Sequence, residues 1–331
     1  MSAVDDPVPS WQQLLNECAG QAVAALAQVP GLVGLVLAGS LGRGEPWPLS
    51  DIDLIPVYQD GKFESATHAT EALRLQLLDR WTAEGHPTTL DIGRLAFRRS
   101  EARQAVTLEP MRAAGLLGDS RWFHSLDKGY GGRAVHDTDG TTTALAGWFT
   151  RTRLDPAIVH ARLALRLRWV AGDEERALSA LTAGDAVTAA LEIRRALHSL
   201  IGYLVEHWGA RDNSWGRLGT RLDVLAAGRG EEGLMRRVWA LYGLDLERVP
   251  RLMELAPAGI RHRHHRSFEA RRLVGEPVSR LQDARDVLLA FSTRELREAP
   301  PYPSWVGLDV EPQGVKQRVM ALRQLLDGLG R

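Results

Sequence analysis

The chain has 331 residues, long enough for two domains with substantial cores. Its 41 Lys and Arg balance 41 Asp and Glu to a formal net charge of zero. That removes the simplest argument for a nucleic-acid partner, a basic surplus, although a local basic groove stays open. A single cysteine, Cys18, excludes an intramolecular disulfide and any multi-cysteine metal site.

The N-terminal stretch MSAVDDPVPS is acidic and proline-containing, without the basic start and apolar core of a signal peptide. No apolar run reaches the roughly 20 residues needed to span a bilayer, so a cytoplasmic protein with no membrane partner is expected. Ser10 is a good N-cap for a helix over about 11–28, with Leu14, Cys18, Val23 and Leu26 as apolar surface and Pro30-Gly31 ending it. The run Leu32 to Leu37 (LVGLVL) reads as a buried strand. Asp51-Ile52-Asp53-Leu54-Ile55-Pro56-Val57 begins a second strand. Its alternation puts Asp51 and Asp53 on one face and Ile52 and Leu54 on the other.

Two carboxylates on one face, two residues apart, repel each other unless a cation lies between them. Such oxygen ligands suit Mg²⁺, which keeps waters and substrate phosphates in its shell. Between the strands, Gly39-Ser40 offers backbone N–H groups and a hydroxyl with no large side chain in the way, a turn suited to cradling phosphate. Together these features describe one composite site for a nucleoside triphosphate and Mg²⁺. The stretch GSLGRGEPWPLSDIDLIPV, with Gly39-Ser40, ten further residues ending in Ser50, and then Asp51-x-Asp53, resembles the signature of the nucleotidyltransferase superfamily. It looks most like the small-molecule branch that includes the aminoglycoside nucleotidyltransferases. The resemblance covers residues 31–57 best, extends plausibly to about 97, and is loose beyond.

Gly42, Gly44, Pro46 and Pro48 give a constrained loop in which Arg43 can reach a β- or γ-phosphate through its guanidinium fork. Trp47 reads as the loop's anchor. A helix is expected over 63–84, then a third strand over 88–97 with Leu90 and Ile92 on one side and Asp91 on the other. Leu90-Asp91-Ile92 matches the setting of the family's third carboxylate, which implies that Asp91 completes the metal shell or acts as general base. A helical segment bounded by Pro110 follows. Residues 118–143 read as the least regular part, where Asp137-Thr138-Asp139 has no phosphate cradle and reads as a solvated turn.

From about residue 143 the pattern is helical throughout. Val159, Leu163, Leu167 and Val170 form an apolar stripe, with Arg162 and Arg166 on another face. Gly184-Asp185 starts the next helix, and further helices are expected over 217–227, 231–242, 259–273, 278–291 and 315–329. Pro300-Pro301-Tyr302-Pro303 reads as a stiff connector. Arg261-His262-Arg263-His264-His265-Arg266 reads as a basic helix face, and Arg194 with His198 stands too close for a helical-RNase pair. Asn213-Ser214-Trp215-Gly216-Arg217-Leu218 reads as a loop before a helix, a place from which related two-domain nucleotidyltransferases carry aromatic and basic residues at the mouth of the site.

The expected fold is therefore α+β. A nucleotidyltransferase domain over 1–140, a small mixed sheet flanked by helices, precedes an all-α helical-bundle domain over 141–331 that binds the acceptor. The resemblance implies Mg²⁺, as two ions, held by Asp51, Asp53 and Asp91. It also implies ATP or another NTP held by Gly39, Ser40, Arg43 and Ser50. The implied activity is transfer of a nucleoside monophosphate to a hydroxyl of a small acceptor such as an aminoglycoside, releasing pyrophosphate. Acidic groups such as Glu192, Asp212 and Asp223 are candidates to meet a polycationic acceptor. The alternative acceptor is tRNA or a protein, and the intact Asp51/Asp53 pair argues against a non-catalytic module.

Overall fold

Ser10 caps the first helix reciprocally. In the computed structural model, which describes residues 10–86, 88–211, 215–295, 307 and 310–329, its hydroxyl accepts from Gln13 N while Gln13 Oε1 accepts from Ser10 N. The N-terminal elements are α1 (Trp11–Leu26), β1 (Leu32–Ala38), a single helical turn α2 (Gly39–Gly42), β2 (Ile52–Tyr58) and α3 (Phe63–Ala83). Then come β3 (Leu90–Ile92), β4 (Phe97–Arg98), α4 (Arg99–Ala105), α5 (Pro110–Ala113), α6 (Ser120–Gly129), β5 (Arg133–Asp137) and α7 (Thr141–Thr152). The five strands form one mixed sheet in the order β3-β2-β1-β5, with β4 pairing the end of β2. β1 is antiparallel to β2 and β5, whereas β3 and β4 run parallel to β2.

The strand alternation sorts the sheet's two faces. Leu35, Leu37, Ile52, Leu54, Leu90 and Ile92 join Leu15, Leu26, Leu77 and Trp81 of α1 and α3 in one core. Asp53, Ile55 and Val57 fall on the other face of β2. Beyond the sheet an aromatic group forms from Phe97, Trp122, Trp148 and Phe149, with Phe97 and Trp122 ring centroids 4.1 Å apart. Close packing there rests on glycine. A side chain at Gly34 would overlap Thr142 of α7 and the His136 carbonyl of β5, and one at Gly129 would overlap the Phe149 ring.

Several expectations change. The single third strand over 88–97 is two short ones, because Gly93 takes a positive φ of 103° and breaks the extended chain between β3 and β4. The stretch 118–143 is ordered. Asp119 caps α6 through Arg121 N, and β5 adds to the sheet beside β1. Asp137 and Asp139 are bound in the turn before α7: Asp137 accepts from Thr143 N and Oγ1, and Asp139 pairs with Arg103 at 2.9 Å.

The C-terminal elements are α8 (Pro156–Thr182), α9 (Ala186–His207), α10 (Leu218–Ala227), α11 (Glu232–Tyr242), α12 (Val249–Leu255), α13 (Ala258–Leu273), α14 (Arg280–Glu295) and α15 (Pro312–Asp327). Asp185 caps α9 through Thr188 N. Helix α12 lies where none was expected. The chain divides into two compact units at Arg162/Leu163, later than the expected residue 140, since β5 and α7 pack on the sheet. The second unit has its own core, with Ile193, Leu197, Leu200, Leu222, Val238 and Leu288 fully buried. Arg162 and Arg166, on another face of α8 than the apolar stripe, are buried. Arg162 donates to the Phe123 carbonyl and to Asp127 and lies 3.8 Å over the Phe123 ring, while Arg166 pairs with Glu206 and fills the space left by Gly202.

The described residues are thus mixed α and β, mainly helical with one small sheet, and no helix among them is long and apolar enough to cross a membrane. The segments 1–9 and 300–303, and Asp212, Asn213 and Ser214, lie outside the described residues.

Candidate active site

Residues Ala38 and Asp53 are paired across β1 and β2, and Asp53 faces Asp91 across β2 and β3 in parallel register. Leu90 and Ile92 enter the core beneath, so Asp91 shares Asp53's face. Asp51, just before β2, has the same parity. The three carboxylates converge, each contributing an oxygen within 4.8 Å of the others. Asp53 is buried, with a side chain 7% exposed, whereas that of Asp91 is 42% exposed. The group is thus an acidic well with Asp53 at its floor.

Gly39 forms the adjacent wall. Its φ of +62° is left-handed, and a β-carbon there would overlap Asp53 Oδ2. Both the backbone conformation and the space for the carboxylate therefore require glycine. Ser40 Oγ donates to Ser50 Oγ at 2.9 Å, and Ser50 Oγ also accepts from Trp47 N at 3.0 Å. Ser50 thereby ties the α2 turn to the entry of β2, and buried Trp47 anchors the intervening loop. The stem of Arg43 rests on Gly131, where a β-carbon would come within 2.8 Å of Arg43 Cγ, and its Nε is 3.5 Å from Glu45.

Lys128, at the end of α6, is the group that reading the sequence missed. Its Nζ donates to Asp53 Oδ1 and lies 3.5 Å from Asp91 Oδ2. Burial works against the Lys128 ammonium, yet the Asp53, Asp51 and Asp91 carboxylates outweigh it and hold its pKa above the usual lysine range. Burial, followed by the Asp51 charge, pushes the Asp53 carboxyl up to about 7 despite the opposing lysine. A signal for α6 existed: Asp119 as N-cap and Trp122, Phe123 and Leu126 at helical spacing. Nothing local says that Lys128 meets an aspartate 75 residues away in sequence.

No protein-family model, curated protein or solved structure gives a significant match to this chain. The candidate site therefore rests on its own geometry. Of the acidic residues considered for an acceptor, Glu192 is engaged by Arg176 and Arg195, and Asp223 by Trp239 and Arg285.

Proposed function

We propose that the chain is a Mg²⁺-dependent nucleotidyltransferase that moves a nucleoside monophosphate, AMP from ATP by default, onto a hydroxyl of a small acceptor of aminoglycoside type, releasing pyrophosphate. The observation that carries this reading is the convergence of Asp51, Asp53 and Asp91 beside a turn that only glycine permits. The donor set fits the metal: all three ligands are hard carboxylate oxygens, and a cation, the Lys128 ammonium, is already drawn to them. Bound there, Mg²⁺ supplies neutralisation of the triphosphate charge that builds on the leaving pyrophosphate.

The chain's own residues supply the rest. Asp51 and Asp53 hold the cation, and Asp91, more open than Asp53, takes the acceptor's proton or completes the ligand set. Gly39 and Ser40 receive the terminal phosphates, with Ser50 fixing the Ser40 hydroxyl. Lys128 balances the carboxylates before substrate arrives and offers its ammonium to the phosphates after it. Arg43 joins them only by leaving Glu45. A second reading, with tRNA as acceptor, draws on the exposed Arg261, His262 and His265 of α13.

Pyrophosphate release should be measured with each NTP and Mg²⁺ against aminoglycosides, lincosamides and bulk tRNA. Release that requires one small acceptor and falls at least 10³-fold in Asp53→Asn is expected. Release with tRNA alone moves the acceptor to the second reading, and no release with any acceptor removes the activity from both.

A further inference from the structure

A separate feature of the helical unit lies between α8 and α9, where a cleft of about 280 Å³ opens. Its size suits a small ligand of one ring system and a substituent. Two buried carboxylates, Asp173 and Glu192, stand at or beside it, and both are matched: Arg176 donates to each of them, and Arg195 donates to Glu192 at 2.7 Å. Arg168 also lines the cleft, exposed, and makes no hydrogen bond or ion pair among the described residues. Three guanidiniums against two carboxylates leave a net positive charge, concentrated at Arg168.

The wall also holds a hydroxyl. Ser199 lines the cleft, and its hydroxyl makes no hydrogen bond among the described residues. Gly172 adds no side chain to the lining, and Arg176 Nη1, 3.4 Å from where a β-carbon there would stand, is not used by Asp173 or Glu192, which take Nη2 and Nε. Trp169, 36% exposed, supplies a flat apolar wall.

We propose that this cleft binds a small organic phosphate carrying a flat ring. The phosphate is received by Arg168, Ser199 and the outer N–H groups of Arg176 and Arg195, and the ring lies against Trp169. A polycation is disfavoured because the nearby carboxylates already have guanidinium partners. The proposal does not depend on the nucleotidyltransferase reading.

The test is isothermal titration calorimetry on the full-length Asp53→Asn protein in EDTA, which keeps a metal nucleotide out of the carboxylate well. AMP, adenosine and inorganic phosphate serve as probes. AMP should bind one to one, with adenosine and phosphate each at least tenfold weaker. Arg168→Glu, at an exposed position, should weaken AMP tenfold or more, and Ser199→Ala about threefold to fivefold, with unchanged circular dichroism. The proposal is overturned by AMP affinity indifferent to Arg168→Glu, by adenosine or phosphate binding as tightly as AMP, or by no AMP binding at millimolar concentration. Spermine binding that Asp173→Asn abolishes would overturn it too, by assigning the cleft to cations.

Discussion

At Asp53, burial and the Asp51 charge oppose ionisation while Lys128 favours it. Lys128→Met removes the one ammonium in contact with this carboxylate. At pH 8 in EDTA it should destabilise the protein by about 1–3 kcal/mol, below the range for a fully buried pair because Lys128 is 35% exposed. Millimolar Mg²⁺ should restore most of the loss in urea titration, and an equal loss with and without Mg²⁺ would count against a cation site. The pH dependence has a defined sign. The Asp53 carboxyl is raised from 3.8 to about 7, so between those values the fold holds a proton that the unfolded chain has released. Its stabilising contribution is complete below about pH 4 and is lost as pH rises through 7. In EDTA the wild type should therefore lose stability relative to Asp53→Asn from pH 5 to pH 8, by on the order of 1–3 kcal/mol. Parallel profiles would show that Asp53 does not titrate in this window. The carboxylates were legible in the sequence because strand alternation is local. Lys128 was not, since its partner is set by where α6 docks.

The strands and the turn between them form the element that builds the site. Gly39→Ala places a methyl group where Asp53 Oδ2 lies and keeps a positive φ that alanine resists. Backbone strain alone costs about 1–3 kcal/mol, and the displaced carboxylate should weaken Mg²⁺ binding at least tenfold by calorimetry. Retained Mg²⁺ affinity would mean that the turn and the carboxylates act separately. The β1-turn-β2 unit was readable because an apolar run, a glycine and an alternating strand sit close together in sequence. The strands β4 and β5 were not. Two residues of β4 carry no periodicity, and Arg133–Asp137 lacks the apolar alternation of a half-buried strand, being held instead by its pairing with β1.

Across the described residues, charged side chains are repeatedly internal. In the helical unit, Arg271 is fully buried. Its Nε lies 2.8 Å from Asp283 and its Nη2 2.5 Å from Asp286, while Thr220 also bonds Asp286. This network joins α10, α13 and α14. Arg271→Met leaves two buried carboxylates without their cation and should cost about 3–5 kcal/mol. That corresponds to a fall of about 10 °C in Tm by circular dichroism. A shift under 2 °C would show that the network is dispensable. The basic appearance of α13 in the sequence therefore divides into an exposed part and an arginine that belongs to the core.

The sequence by itself determined the α+β class, most helices, the sheet faces of Asp51, Asp53 and Asp91, and the glycine turn, because each follows from local periodicity and backbone preference. Only the tertiary structure decided that Lys128 closes the carboxylate well, that Arg43 rests on Gly131 beside Glu45, and that Arg162, Arg166 and Arg271 are internal. Those outcomes depend on which distant group each cation meets. A guanidinium or ammonium carries the same charge in solvent or in the core, so its place is decided by the carboxylate and carbonyl partners that the packed fold brings to it.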